Sequence, residues 1–203
     1  MQKINQNKVS DYDCRFVDFK ELEIDLEDYS WNVGVCDVTT LGKIDIKGPD
    51  SAEFLNRVYT NAWLKLPVGK ARYGLMLRED GMLLDDGTTT RISENHYHMT
   101  TTTAQAANVL THLEYYLQVV WPELKVNVVS STEQWAGAAI AGPKSRDLLS
   151  KLLPTEDVTN DGFAFMHYKE VDFFGVKARL FRISFSGELA YDCLLYTSDA
   201  ADE

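Results

Sequence analysis

The sequence predicts an α+β fold in which antiparallel β-hairpins are covered by helices. Several segments alternate apolar and polar residues and come in adjacent pairs joined by turn residues, which is typical of hairpins. Three other segments carry helix signals, either apolar residues at helical spacing or residues typical of a helix N-terminus. With 203 residues, 45% of them hydrophobic, the chain can bury a sizeable core. We therefore expect one globular domain, or most of one.

Residues 1–30 form the segment in which the sequence predicts least. It is polar at first and then contains "ELEIDLE", whose alternation suits either a half-buried strand or a frayed helix. No element is assigned to it.

The pattern becomes clear from Gly34 onward. "GVCDV" predicts a short strand, and "KIDIKG" alternates in the manner of an edge strand. The segment "GPDSAEFLNRVY" predicts a helix, because Asp50 and Glu53 have the spacing of a capping box.

The next unit is a hairpin from Ala71 to Ser93. Asp80-Gly81 supplies the positive φ that a tight turn needs. Asp85 and Asp86 follow in the return strand, where neighbouring side chains point to opposite faces, so one of the two should face inward. Spacing alone favours the simpler interpretation that the pair lies in solvent at a strand end.

The rest of the chain repeats this alternation of hairpins and helices. The predicted elements are a strand at "HYHMTT", a helix from about Ala104 to Val119, strands at "KVNVV" and "WAGAAIAG", a helix in "KSRDLLSKLL", and a hairpin of "FMHYKEVDF" and "VKARLFRIS" around Gly175. No repeat or Pro/Ser-rich linker marks a boundary between domains.

Composition excludes several classes of function. The chain has 31 acidic and 20 basic residues, a net charge of −11, which repels a phosphate backbone and an anionic membrane surface. We expect no nucleic-acid partner and no membrane partner. Cys14, Cys36 and Cys193 are far apart and lack CxxC spacing, so neither a disulfide framework nor a zinc site is predicted. With no apolar run of membrane-spanning length or signal peptide, the sequence predicts a cytoplasmic protein.

Common catalytic motifs are absent from the sequence. There is no dinucleotide-binding, P-loop, serine-hydrolase or zincin signature. His96 and His98 share one strand face, but no third ligand is suggested nearby, so packed or surface histidines are preferred to a metal site. "SFSGELAYD" fits a strand, a turn and a second strand, with Glu188 in solvent.

Five segments, taken in order, carry a resemblance to a known family. They are "VGVCDVTTLGKIDIKGPDSAEFLNRVYTN", "KARYGLMLREDGMLLDDGTTTRI", "HYHMTTTT", "AGPKSRDLL" and "FSGELAYD". Together they resemble the folate-binding aminomethyltransferase family that includes the glycine-cleavage T-protein. Within that family they look most like the folate domain of the alpha subunit of heterotetrameric sarcosine oxidases. The resemblance implies a folate-binding domain at residues 31–192.

The resemblance also implies roles for individual residues. Asp86 is the catalytic carboxylate facing the bridging nitrogens of tetrahydrofolate, and Asp85 faces away. Leu41 and Tyr73 line the pterin and its linker, Thr100 contacts folate through its backbone, and Asp192 holds the amino edge of the pterin. The family usually has a glutamate at this last position, and aspartate is shorter by one methylene.

The implied activity is one-carbon transfer to tetrahydrofolate. A one-carbon unit carried as an iminium is electrophilic, the folate amine is the nucleophile, and a carboxylate can take the amine's proton. The expected product is methylenetetrahydrofolate, formed from the iminium or formaldehyde that sarcosine oxidation produces. FAD, FMN and NAD are expected only elsewhere in the full complex, and the other subunits of a hetero-oligomeric oxidase are the expected partners.

Three alternatives remain open at this point. One is a non-catalytic folate-binding or assembly module, and the others are a glycine-cleavage-type aminomethyltransferase and a folate-dependent demethylase. Residues 1–30 do not resemble the region that precedes this domain in sarcosine oxidases. Residues 193–203, "CLLYTSDAADE", resemble a translated sequencing adapter. We therefore expect a non-native tail and an incomplete domain, with an arginine that the family uses on folate lying in the missing part.

Overall fold

Ten strands form two five-stranded antiparallel sheets in the computed structural model, which describes residues 32–185 and 187–197. The elements, in chain order, are β1 (Gly34–Asp37), β2 (Gly42–Lys47), α1 (Ser51–Val58), β3 (Ala71–Leu77), β4 (Leu83–Ser93), β5 (His96–Thr101), α2 (Ala106–Tyr115), β6 (Asn127–Ser130), β7 (Trp135–Ala141), α3 (Ser145–Leu152), β8 (Tyr168–Phe173), β9 (Val176–Phe181) and β10 (Ala190–Tyr196). This arrangement confirms the predicted α+β fold. "ELEIDLE" lies outside the described residues.

The first sheet has the strand order β3-β4-β5-β2-β6, and one of its faces is covered by α1 and α2. Alternate residues of β2, Ile44 and Ile46, are buried there against Phe54 of α1 and Leu113 of α2. The opposite face of this sheet is turned toward the second sheet.

The second sheet has the order β1-β7-β10-β9-β8 and is covered on one face by α3. Leu149 of α3 packs with Leu180 of β9 and Tyr191 of β10, and all three are fully buried. The two sheets meet where the ring of His98 in β5 stacks on Phe181 at the end of β9, with centroids 5.9 Å apart. A cleft therefore lies between the sheets, on the side away from both helical layers.

The prediction that "KIDIKG" is an edge strand was wrong. β2 lies between β5 and β6 and pairs with both. Its polar residues Lys43 and Asp45 are buried, because the face they occupy is covered by the second sheet instead of solvent.

The predicted helices are present, but their ends differ from the expectation. Asp50 precedes α1 without capping it, and its carboxylate instead accepts the backbone N–H of Lys125 at 2.8 Å. The helix expected from Ala104 to Val119 is a shorter α2 between a 3₁₀ turn and a π-helical turn, Tyr116–Val120. The capping-box prediction was therefore wrong, and the helix prediction was correct in position.

Both hairpins form where they were predicted. Gly81 has a φ of +80°, and Arg78 N–H donates to the Met82 carbonyl at 2.8 Å across the first turn. Gly175 has a φ of +86° in the second turn. In each case the turn residue needs the left-handed conformation that glycine adopts without strain.

The last strand continues past the predicted domain boundary at residue 192. Cys193 and Leu194 are buried in β10 and pair with β7. Residues 198–203 lie outside the described residues, and a non-native origin for residues 193–203 stays a prediction. None of the helices in residues 32–185 and 187–197 is long and apolar enough to cross a membrane.

We predict that Leu113→Ala lowers the free energy of unfolding by about 2–5 kcal/mol, because the change leaves a cavity between α2 and the first sheet. Val119→Ala is the control, since Val119 is 62% exposed and its change should stay within about 0.5 kcal/mol. Urea unfolding of both variants measures the difference. Equal losses would show that α2 does not pack on the sheet as described.

Candidate functional site

The two adjacent aspartates of β4 point to opposite faces of the first sheet. Asp85 pairs with Met76 of β3, whose side chain is buried in the helix-side core. Asp85 is only 6% exposed, and its Oδ2 accepts the backbone N–H of Thr102 at 3.1 Å. The inward aspartate of the pair is therefore Asp85, which corrects the interpretation of the pair as a solvated strand end.

Asp86 lies on the face that is turned toward the second sheet. It pairs with Leu75 and is half-buried, and its Oδ2 accepts a hydrogen bond from the hydroxyl of Tyr73. That hydrogen bond raises the pKa of the Tyr73 phenol, so Tyr73 remains the donor. The carboxylate is thus held by one oxygen at the open end of the cleft.

A small cavity lies between the sheets and brings three of the predicted folate residues together. Leu41, Thr100 and Asp192 all line it. Its enclosed volume is about 10 Å³, room for about one water molecule. Asp86 and Tyr73 lie beyond its wall, but Tyr73 pairs with Thr88, which does line it. The five predicted residues therefore lie around one cleft without sharing one enclosed cavity. Tyr73, Asp86 and Thr100 are on the first sheet, and Asp192 faces them from β10 of the second sheet.

Asp192 is a predicted site residue whose carboxylate lacks a partner among the described residues. Its carboxylate makes no hydrogen bond or ion pair with any group in the described part of the chain. Burial in the cleft raises its pKa from 3.8 to about 6. An acceptor of this kind suits a ligand that presents N–H donors.

Lys43 holds the loop that carries Leu41. The Lys43 ammonium is buried and donates to the carbonyls of Thr39 and Leu41, at 2.8 and 3.0 Å. Burial lowers the pKa of Lys43, while these two carbonyls satisfy its hydrogen bonds. Lys43 was not predicted from the sequence, although its place in the "KIDIK" alternation put it on the polar face of β2.

Thr100 is fixed by its partner across β4 and β5. Its hydroxyl lies 2.9 Å from the hydroxyl of Thr88, and it also donates to the Thr88 carbonyl at 3.2 Å. Its side chain is thereby satisfied within the protein, and a ligand contact through its backbone stays a prediction.

Sequence reasoning missed a charged cluster behind the cavity. Asp45 Oδ1 lies 2.8 Å from His98 Nδ1, 3.4 Å from His96 Nε2 and 3.5 Å from Nη1 of Arg179 in the second sheet. Burial alone raises the pKa of Asp45, but the two histidines and Arg179 outweigh it and hold the pKa well below its usual range. The shared face of His96 and His98 was the sequence signal for this cluster.

The side chains of this cluster are not arranged to hold a metal ion. Across the part of the chain that the structure describes, no group of three or more His, Cys, Asp or Glu side chains is arranged to hold a metal ion. The Arg179 guanidinium occupies the position beside Asp45 and His98 where a cation would have to lie.

Comparison with protein families gives a match along nearly the whole sequence. The model of the GCVT N-terminal domain matches residues 1–202. The chain belongs to the GCVT N-terminal domain family. The predicted family is thereby confirmed.

Curated relatives of this GCVT domain include much longer proteins. The sarcosine oxidase subunit alpha of Rhizobium meliloti is 62% identical over 163 residues, which are 79% of this chain and 16% of that protein. The aminomethyltransferase of Listeria welshimeri is 30% identical over 184 residues, 91% of this chain and 49% of that protein. The matched region thus spans about half of one relative and about a sixth of the other.

Two solved structures share the fold of this GCVT domain. The glycine cleavage system aminomethyltransferase T from Bartonella henselae superposes with a TM-score of 0.69 at 22% identity, covering 81% of this chain and 42% of that one. A heterotetrameric sarcosine oxidase from Corynebacterium sp. U-96, in complex with pyrrole 2-carboxylate, gives a TM-score of 0.56 at 13% identity, covering 80% and 74%. At these identities the likeness establishes the fold alone.

We predict that Asp192→Asn stabilises the protein at about pH 8 and changes it little at about pH 4. Because burial raises the pKa of Asp192 to about 6, the folded protein keeps a proton that the unfolded chain releases above about pH 4. Stability is therefore lost as the pH rises through about 4 to 6, and the amide avoids this loss. The relief is up to about 3 kcal/mol.

Urea unfolding at the two pH values measures this effect. Asp161→Asn is the control, since Asp161 lies exposed in a turn. If Asp192→Asn raises the free energy of unfolding equally at both pH values, the conclusion that Asp192 is a buried carboxylate without a partner is contradicted.

Proposed function

We propose that this domain performs tetrahydrofolate-dependent one-carbon transfer, forming methylenetetrahydrofolate from the iminium or formaldehyde produced by sarcosine oxidation. The observation that carries the proposal is the separation of Asp85 and Asp86 onto opposite faces. It leaves Asp86 at the open end of the cleft, while Asp85 serves the fold. The 62% identical relative named as a sarcosine oxidase subunit alpha supports the choice of one-carbon source.

The residues around the cleft fit a reduced pterin by their chemistry. Asp192 is a carboxylate without a described partner and suits the paired amino and N–H donors of a pterin edge. Leu41 supplies an apolar wall, and Thr100 lines the cavity beside it. The cavity as it stands holds about one water molecule, so a ring ligand has to widen it. Leu41 and Ile183 lie outside the strands, so their side chains can change rotamer without breaking a sheet ladder or the hydrogen bonds of Lys43 to the loop.

Asp86 is the proposed general base of the reaction. Tetrahydrofolate supplies a secondary amine that acts as the nucleophile toward the one-carbon unit. As the first N–C bond forms, the π electrons of the iminium C=N or the formaldehyde C=O bond move to the donor nitrogen or oxygen. The amine proton passes to Asp86, on the oxygen that Tyr73 does not occupy. The second folate amine then attacks the same carbon, and the donor's amine, or water, takes up a proton and leaves as the methylene bridge closes. Tyr73 keeps the carboxylate in one orientation, so the base is already aimed when both reactants are held together.

The oxidation that generates the one-carbon unit is assigned to other parts of a hetero-oligomeric oxidase. The chain carries none of the sequence signatures for a dinucleotide, so FAD, FMN and NAD belong to those other parts in this proposal. The competing function is a domain that binds folate without turning it over. The two differ in whether the Asp86 carboxylate is required.

We predict that Asp86→Asn lowers the rate of methylenetetrahydrofolate formation by about 10²- to 10⁴-fold, the usual range for removing a general base. Asparagine keeps the size of the side chain and can still accept from Tyr73, so the dissociation constant for tetrahydrofolate should change little. The rate is measured on the full chain with an added one-carbon donor, and binding is measured by calorimetry.

Asp85→Asn is the matched control, one residue away and on the opposite face. Its amide oxygen can still accept from Thr102, so the transfer rate should stay within about threefold of the wild type, even if stability falls. Equal rate losses at the two positions would count against proton transfer by Asp86. Tetrahydrofolate binding by both wild type and Asp86→Asn, with no turnover by either, would favour the non-catalytic binder.

A further inference from the structure

His98 presents a buried polar atom that the fold leaves unused. Its side chain is fully buried on the cleft face of β5, it lines the cavity together with Asp192, and its ring stacks on Phe181. The Nδ1 atom is 2.8 Å from Asp45. The Nε2 atom is fully shielded and has no hydrogen-bond partner among the described residues. Nine other buried side-chain atoms of the described residues are in the same state, and His98 is the one residue among them that lines the cavity. A buried polar atom without a partner at such a place calls for an explanation.

The contact with Asp45 determines which ring nitrogen carries the hydrogen. Asp45 is ionised and can only accept, so a 2.8 Å contact requires a hydrogen on Nδ1. Arg179 Nη1 also lies 3.1 Å from Nδ1, but the alternative tautomer would set the Nδ1 lone pair against the Asp45 carboxylate. The Arg179 guanidinium is instead attracted to Asp45 itself, at 3.5 Å.

The charge state of His98 follows from its surroundings. Burial lowers the pKa of the His98 imidazole, against the attraction of Asp45, so the ring is neutral. A neutral imidazole with its hydrogen on Nδ1 has a lone pair on Nε2. The cleft therefore has two acceptors without described partners, the Asp192 carboxylate and the His98 Nε2.

We propose that His98 Nε2 accepts a hydrogen bond from an N–H of the reduced ring of the pterin and so selects reduced over oxidised folates. This inference rests on the proposed function. The 2-amino and N3–H groups of the pterin are the same in both oxidation states, and Asp192 suits them. Tetrahydrofolate carries N–H groups at positions 5 and 8, whereas in folic acid both nitrogens carry lone pairs that Nε2 repels.

The proposal predicts that the site binds tetrahydrofolate and also distinguishes it from folic acid. A site built to accept from a ligand N–H rejects an analogue that lacks it, because the buried acceptor is then left unpaired. Wild-type protein should bind tetrahydrofolate at least about tenfold more tightly than folic acid. Asp192→Asn should weaken both ligands to a similar extent and leave the ratio unchanged.

Two substitutions of His98 test the roles of Nδ1 and Nε2 separately. His98→Asn keeps an N–H near the Nδ1 position for Asp45 but has no atom at Nε2, so the preference for tetrahydrofolate should fall by about tenfold. His98→Gln places an amide oxygen near the Nε2 position and should keep the preference within about threefold of wild type. Calorimetry with tetrahydrofolate and with folic acid on the full chain gives the two ratios.

The outcomes separate this inference from the proposed function. Wild type that binds tetrahydrofolate, together with an unchanged ratio in His98→Asn, overturns the role of His98 and leaves the proposed function standing. Wild type that binds neither ligand overturns both.

Nitrogen NMR of wild-type protein labelled at histidine tests the same contact without any variant, should His98→Asn fail to fold. The Nε2 resonance of His98 should shift on adding tetrahydrofolate, as expected for a lone pair that gains a hydrogen bond, and should not shift in the same direction with folic acid. A resonance that does not respond to tetrahydrofolate under conditions where calorimetry shows binding would overturn the inference.

Discussion

The buried Asp45 carboxylate holds the two sheets at the separation on which the cleft depends. It lies on β2 of the first sheet, and Arg179 of the second sheet reaches it across the gap. Arg179 also packs its guanidinium over the Trp135 ring at 4.3 Å, so its position is fixed from both sides. A buried ion pair contributes little net stability, because desolvation offsets its attraction, but removing one partner leaves the other charge buried and unpaired. The contribution of this cluster is therefore mainly geometric. It fixes the spacing of the sheets and the tautomer of His98.

The polar groups around the cleft fall into two sets, and the division indicates where a ligand is expected. Lys43 and Thr100 have hydrogen-bond partners within the protein and position loops and strands. Asp192 and His98 Nε2 have none among the described residues, although Nε2 is shielded from water and Asp192 is partly buried. A protein selected for stability alone would have paired or replaced these two acceptors. Unpaired polar groups that lower stability are common at functional sites. The unsatisfied acceptors thus mark the part of the cleft that ligand contacts would complete.

Local patterns in the sequence were enough to place the strands, the hairpins and the helices along the chain. They did not show which other elements each one packs against. The period-two pattern of β2 showed that one face is polar, and the error was to equate a polar face with an exposed one. Asp50 was expected to cap its own helix, yet its carboxylate binds a backbone group 75 residues away. Asp45 likewise finds its partners 53 residues away in His98 and 134 residues away in Arg179. Contacts of this length depend on how the sheets pack, which no short window of sequence records.

Asp85 and Asp86 show how closely stability and the proposed chemistry are linked in this fold. Alternation along a strand established that the two differ, and the resemblance suggested which one serves the reaction. In the structure the choice depends on register, because a slip of one residue would turn Asp86 to the core and Asp85 to the cleft. Two features oppose such a slip. Thr102 N–H binds Asp85, and the close approach of the Thr100 carbonyl leaves no room for a side chain at Gly87. The residues that keep Asp86 in the cleft therefore lie on the opposite face of the sheet or have no side chain at all, which explains why a list of ligand-contacting residues would omit them.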